Sequence, residues 1–220
     1  KLAQSPSVHT VYVAPGNAGT ATEPSLVNVN IDTLDFPALA NFAETNDCHL
    51  TVIGPEAPLV EGVVDYFTQA GLACFGPTKA AAQLEGSKAF TKDFLKRHNI
   101  PTGYYATFTD VDAALAYVRE QGAPIVVKAD GLAAGKGVLI IEDLKEAKSE
   151  LSKMLKDKKF GDSSSTVVIE QFLKGVEMSV FVLLDGDGYK IFPEAKDYKR
   201  IGVGDTGLNT GGMGAVSPVP

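Results

Sequence analysis

Residues 126–138 read Val-Val-Lys-Ala-Asp-Gly-Leu-Ala-Ala-Gly-Lys-Gly-Val, a β-branched run ending in Lys128, then three glycines, Lys136 and a return to β-branched residues. Such residues crowd a helix and suit a pleated strand, so Ile125 to Lys128 and Val138 to Ile141 are predicted to flank the glycines as a hairpin. Gly131, Gly135 and Gly137 let the backbone approach an anion closely, and Lys128 and Lys136 supply the opposing charge. Two common phosphate motifs are excluded. Three residues separate Gly131 from Gly135, and Gly137 stands where the Walker loop needs Ser or Thr. The dinucleotide fingerprint fails because G-L-A-A-G-K-G has the wrong order and a strand, not a helix, follows it. By itself the segment leaves two readings open, a flap over a nucleotide or an ordinary flexible turn.

A chain of 220 residues, 45% hydrophobic, has ample core for one large domain or two ordinary ones and reads as soluble and globular. Its 20 basic and 27 acidic residues give a net charge of −7. Residues 1–86 hold two lysines against nine acids, and residues 87–220 hold 18 of each, so the excess lies wholly in the first part. No basic stripe that would neutralise nucleic-acid phosphates is present. The lysines from Lys145 to Lys159 alternate with acids and leucines as on a solvated helix face. Cys48 and Cys74 read as buried thiols of a reducing compartment, and His9, His49 and His98 are too scattered for zinc. With no stretch of 18 apolar residues and no leader pattern, the expected location is cytoplasmic. The start at Lys1, on an apparent helix tail to Gln4, and the stop at Pro220 after a glycine-rich motif suggest a piece of a longer protein.

Strand-like runs at Val8 to Ala14, Val27 to Ile31, Leu50 to Ile53 and Ala73 to Phe75 alternate with helical spacing over Phe36 to Thr45 and Val60 to Ala70. That alternation predicts a parallel sheet with helices on its faces, and ligands on such sheets bind at the carboxyl ends of strands, here Pro15 to Gly19 and Gly54 to Leu59. After Pro77 a long helix, about Lys79 to His98, leads into different strand pairing. A helix capped by Thr109 or Asp110 reaches Gln121-Gly122, Leu144 to Leu155 is amphipathic, Thr166 to Phe172 is a strand, and Val180 to Leu184 pairs with Tyr189 to Phe192 across Asp185-Gly186-Asp187-Gly188. Two α/β layers result, residues 1–86 and 87–220, divided near Gly86.

Residues 168–175, V-I-E-Q-F-L-K-G, offer an apolar slot for a nucleotide base: backbone near Gln171 and Leu173 for its edge, Phe172 for cover, and Glu177 for ribose hydroxyls. A buried strand whose acid, Glu170, emerges at the surface is the competing reading. Lys88 is a candidate second ammonium near phosphates. The other cations of its helix, Lys92, Lys96 and Arg97, read as solvated.

The glycine clamp, the Glu170 to Leu173 slot, Glu177 and the run N-T-G-G-M-G-A at 209–215 resemble the ATP-grasp ligases. P-G-N-A-G-T-A at 15–21, G-P-E-A-P-L at 54–59, and G-P-T at 76–78 followed by A-A-Q-L-E-G-S-K at 81–88 resemble, more closely, the phosphoribosylamine–glycine ligase family. The likeness runs along the whole chain with its segments in order. It implies an α/β fold, with an N-terminal parallel-sheet, Rossmann-like pre-ATP-grasp domain (1–86) followed by part of an α+β ATP-grasp domain (87–220) whose lid spans about 105–175.

The implied activity is ATP-dependent ligation of glycine to 5-phosphoribosylamine through a glycyl phosphate, in purine biosynthesis. By resemblance Lys88 and Lys128 bind ATP phosphates, and the 131–137 loop with Gly131, Gly135, Lys136 and Gly137 closes over them. Glu170, Gln171, Phe172 and Leu173 hold adenine, and Glu177 the ribose. Pro15, Gly16, Asn17, Gly19 and Glu56 face phosphoribosylamine, whereas Asp197, Lys199, Asn209 and Gly212 border the glycine and acyl-phosphate site. Magnesium, or manganese in its place, is implied with its main ligands beyond Pro220, so this segment alone is expected to be inactive. The implied partners are small molecules, with neither nucleic acid nor membrane. Tyr198 departs from the family's His in Asp-His-Lys-Arg. The rival readings are another ATP-grasp carboxylate–amine ligase and a non-catalytic nucleotide-binding module.

Overall fold

The structure, a computed structural model, describes residues 1–133, 136–204 and 206–219 and divides into two compact units, Lys1–Gly86 and Ser87–Pro220. In the first unit β1 (Val11–Val13) pairs in parallel with β2 (Leu26–Asn28), and β3 (Thr51–Val52) pairs in parallel with β4 (Cys74–Phe75). The intervening helices are α1 (Ala18–Thr22), α2 (Phe36–Thr45), α3 (Glu56–Glu61) and α4 (Val63–Gln69), and α5 (Lys79–Gly86) closes the unit. Its core is Ala40 and Ala43 of α2 against Val63, Val64 and Phe67 of α4.

Three expectations for this unit need correction. Apolar spacing over Val60 to Ala70 suggested one helix, but Gly62 takes φ +97° and splits it into α3 and α4, a conformation that a Cβ would strain. The first residues form a single 3-10 turn, Leu2–Gln4. Cys48 and Cys74 are only half-buried, although burial still pushes both thiols above 9.0.

The helix expected over Lys79 to His98 is likewise two helices. Ser87 is the N-cap of α6 (Lys88–Arg97), its hydroxyl accepting the Phe90 amide at 3.1 Å, so the second helix starts afresh in the second unit. That unit is built on an antiparallel sheet in the order β5-β9-β6-β7, from β5 (Tyr105–Phe108), β6 (Ile125–Ala129), β7 (Val138–Ile141) and β9 (Val167–Gln171). Alternation assigns the sheet's two faces. Ile125, Val127 and Ala129 point into a core shared with Val167 and Ile169, with Val111, Ala114, Leu115 and Val118 of α7 (Val111–Gln121), and with Ala147, Leu151 and Met154 of α8 (Leu144–Leu155). Asp110 caps α7 by accepting the Ala113 amide at 2.9 Å, and Asp143 caps α8 by accepting two amides at 2.8 Å.

The opposite face carries Val126 and Lys128 of β6 and Glu170 of β9. Glu170 is registered between Val126 and Tyr105, which makes Lys128 its diagonal neighbour. After β8 (Lys159–Asp162) and β9 come two antiparallel hairpins, β10 (Val182–Leu184) with β11 (Tyr189–Ile191), and β12 (Lys196–Gly202) with β13 (Thr206–Val216). Neither β5 nor the β12–β13 pair was expected from the sequence.

Candidate functional site

The β6–β7 connection begins at Asp130 and is tied to its surroundings by backbone bonds. The Asp130 amide donates to Thr166 O at 3.0 Å and the Gly131 amide to Ser163 O at 3.1 Å, while the Ala129 amide meets Gly137 O at 2.8 Å. The glycines here make room for the protein's own chain: a Cβ on Gly131 would lie 2.8 Å from Ser163 Oγ, and one on Gly137 would lie 2.7 Å from the Ala133 methyl. Ser163 Oγ in turn donates to Leu132 O at 2.8 Å. These internal contacts set the loop's path. Lys136 is exposed. Gly135 lies outside the described residues.

One lysine rests on the start of this loop and a second lies on the strand that leads into it. Lys88, in the first turn of α6, donates through Nζ to Asp130 O at 3.3 Å and Gly131 O at 3.2 Å. Lys128, at the end of β6, is ion-paired with Glu170 Oε2 at 3.1 Å. The reading of Lys92 as a solvated charge is overturned: its Nζ lies 3.0 Å from the same Glu170 oxygen with 12% of the side chain exposed, and it donates to Thr102 Oγ1 at 2.7 Å. It also stands 5.7 Å from the centroid of the Tyr105 ring. Tyr105 donates to Asp93 at 2.9 Å; burial first, then that hydrogen bond, pushes its phenol above 10.0. Lys92 sits one helical turn after Lys88, so the i,i+4 spacing was the available signal. Its partner Glu170 is remote in sequence and invisible to that pattern.

Glu170 therefore does not merely emerge at the surface; its carboxylate is buried and neutralised by two ammonium groups. The Gln171 amide is already engaged, donating to Tyr104 O at 3.0 Å. Phe172 and Leu173, the first residues past the strand, are the next backbone groups along this edge, and Leu173 is exposed.

A second group gathers on β12. Lys199 Nζ lies 2.6 Å from Glu177 Oε1 and 3.6 Å from Asp197 Oδ2. The Glu177 hydrogen bond holds the Lys199 ammonium above its ordinary 10.5, burial opposes this, and Asp197 reinforces it. Glu177, assigned to ribose by resemblance, has Lys199 as its partner here. Asn209 is registered opposite Arg200, and the Gly212 amide donates to Thr210 Oγ1 at 3.1 Å while that hydroxyl donates to Lys199 O at 2.8 Å. Tyr198 has Lys196 Nζ 5.2 Å from its ring centroid.

In the first unit, Pro15 and Gly16 follow β1. Asn17 and Thr20 form a reciprocal cap on α1, with Asn17 Oδ1 accepting the Thr20 amide at 3.0 Å and Thr20 Oγ1 accepting the Asn17 amide at 2.8 Å. Gly19 lies within α1. Asn28 Nδ2 donates to Asn17 O at 2.9 Å, so the strand beside β1 fixes the turn. Glu56 opens α3.

Among the described residues no group of three or more His, Cys, Asp or Glu side chains could hold a metal ion, so the main magnesium ligands implied by the family resemblance are not among them. No helix among the described residues is long and apolar enough to cross a membrane.

The fold has counterparts among solved structures. A biotin carboxylase–β,γ-ATP complex from Campylobacter jejuni superposes with a TM-score of 0.65 over 76% of this chain and 39% of that one, at 20% identity, a likeness of fold alone. Residues 86–220 match the family described as Phosphoribosylglycinamide synthetase, ATP-grasp (A) domain, and residues 1–85 match Phosphoribosylglycinamide synthetase, N domain. The chain belongs to the phosphoribosylglycinamide synthetase family, and its second unit has the ATP-grasp fold. It is similar to the phosphoribosylamine–glycine ligases of Vibrio parahaemolyticus, 62% identical over all 220 residues and 51% of the relative's length, and Escherichia coli, 60% identical with the same coverage. The crystal structure of the Thermotoga maritima phosphoribosylamine–glycine ligase matches with a TM-score of 0.78 and 32% identity, over 96% of this chain and 50% of that one. The chain thus spans about half the length of the curated relatives it matches.

Proposed function

We propose that this chain is the nucleotide-gripping part of a ligase that joins glycine to 5-phosphoribosylamine at the expense of ATP, giving glycinamide ribonucleotide, ADP and phosphate. The observation that carries the reading is Lys88 resting on the first carbonyls of a glycine-rich loop whose leading strand carries Lys128. Acyl-phosphate formation needs neutralised phosphates and exclusion of water more than a protein nucleophile. In this reading a glycine carboxylate oxygen attacks the γ-phosphorus and ADP departs. The amine of phosphoribosylamine then attacks the acyl carbon, loses a proton, and phosphate leaves carrying the glycine oxygen.

Lys88 and Lys128 neutralise the phosphates under the 131–137 loop, which belongs to a lid of about residues 105–175. Adenine sits at the end of β9, by Glu170, Gln171, Phe172 and Leu173, and Glu177 reaches the ribose once it exchanges Lys199 for the sugar hydroxyls. Asp197, Lys199, Asn209 and Gly212 border the glycine and its acyl phosphate. Residues 1–86 take phosphoribosylamine, with Pro15, Gly16, Asn17 and Gly19 on its phosphate and Glu56 on its hydroxyls. The division of labour between 1–86 and 87–220 is part of the proposal, as is a cytoplasmic location.

The experiment is isotope transfer in the full-length protein. With glycine labelled by 18O in its carboxylate, one labelled oxygen should appear in the released phosphate; phosphate free of label contradicts the acyl-phosphate route.

A further inference from the structure

Lys128 is held in the structure by the group that it must leave. Its ammonium lies on Glu170 Oε2, so moving it to a nucleotide phosphate would strip a cation from a buried carboxylate, and an unpaired buried carboxylate is strongly disfavoured. Lys92 removes that obstacle. Its ammonium, carried on α6, reaches the same oxygen at 3.0 Å and is anchored by Thr102 Oγ1 and the Tyr105 ring. Of the two lysines, Lys92 is the more buried and the more fully partnered, with 12% of its side chain exposed against 28% for Lys128. The pair is therefore unequal: one cation is fixed, and the other is the one with room to move.

We propose that Lys92 is a positioning residue that keeps Glu170 neutralised so that Lys128 can leave the carboxylate and engage a nucleotide phosphate. The inference rests on the nucleotide reading of this site and adds to it a residue outside the contact set. Lys92 does not touch the nucleotide. With Lys92 absent, Lys128 stays on Glu170, which leaves the resting fold paired and penalises only the bound state.

The test is steady-state kinetics and thermal unfolding of the full-length protein. Lys92→Met should raise the KM for ATP about tenfold. It should leave kcat within about twofold and the unfolding midpoint within about 2 °C. Lys92→Arg should stay near the wild-type KM. Adding Lys92→Met to Glu170→Gln should weaken ATP use no further than Glu170→Gln alone, because no carboxylate then remains to detain Lys128. Three results overturn the inference: an unchanged KM for ATP in Lys92→Met, a folded state lost in that variant although Lys128 still pairs Glu170, or a double variant weaker than Glu170→Gln. If the wild-type protein itself does not use ATP, the ligase reading falls and carries this inference with it. Wild-type turnover with an insensitive Lys92→Met overturns the inference alone.

Discussion

The Ser87 hydroxyl and the Asp130 carboxylate, 43 residues apart, tie the start of α6 to the root of the glycine loop, with Oγ 3.0 and 3.1 Å from the two carboxylate oxygens. The same hydroxyl caps α6, and Asp130 Oδ1 also accepts the Ala89 amide at 2.7 Å. One carboxylate thus fixes both the helix that presents Lys88 and Lys92 and the loop on which Lys88 rests. Asp130→Ala should destabilise the protein by about 2 kcal/mol, the cost of charge-assisted bonds lost at a half-buried position. Urea unfolding measures it, and a midpoint equal to wild type would contradict the role.

Lys128→Ala separates function from folding. Lys92 remains on Glu170, so stability should fall by no more than about 1 kcal/mol, whereas kcat/KM for ATP should fall about a hundredfold through loss of a phosphate-facing ammonium. Activity assays paired with thermal unfolding distinguish the two. Unfolding of the variant would make Lys128 a structural residue only.

Glu170→Ala should do the reverse. It leaves Lys92 and Lys128 facing each other without an anion, and removing one partner from a buried ion pair costs about 3 kcal/mol. Glu170→Gln, which keeps an acceptor for both ammonium groups, should recover part of that loss in the same denaturant titration.

Acid stability has an identifiable contributor on α8. Glu150 accepts Lys153 at 2.6 Å and Lys159 at 2.8 Å, and these hydrogen bonds, Lys153 first, hold its carboxyl below the ordinary 4.5. A depressed carboxyl stabilises the fold fully above its unfolded value and loses that contribution as pH falls through the folded one. Glu150→Gln should therefore cost about 0.5 kcal/mol at neutral pH and flatten the fall in stability below 4.5. Superimposable acid limbs for variant and wild type would rule it out.

Legibility followed locality. The β6–β7 hairpin, the β9 strand, the cap at Asp110 and the amphipathic helix from Leu144 are written in short stretches of β-branched residues, capping side chains and apolar spacing, and each lies where local chemistry places it. The breaks at Gly62 and Ser87 were missed because apolar and charged spacing continues across both, while a positive φ in one and a side-chain cap in the other decide the register. The β12–β13 hairpin escaped notice because glycines and polar residues dominate it and its pairing is made between strands, with register shifts around Arg200. Lys92 escaped for a different reason. A charge reads as solvated until its buried counter-charge is known, and Glu170 comes to it only through the sheet.

The most direct test of the account is phosphate release from ATP by the full-length protein under substrate omission. Release is expected only when glycine and 5-phosphoribosylamine are both present. Turnover with bicarbonate or formate in place of glycine, or release indifferent to phosphoribosylamine, would contradict it.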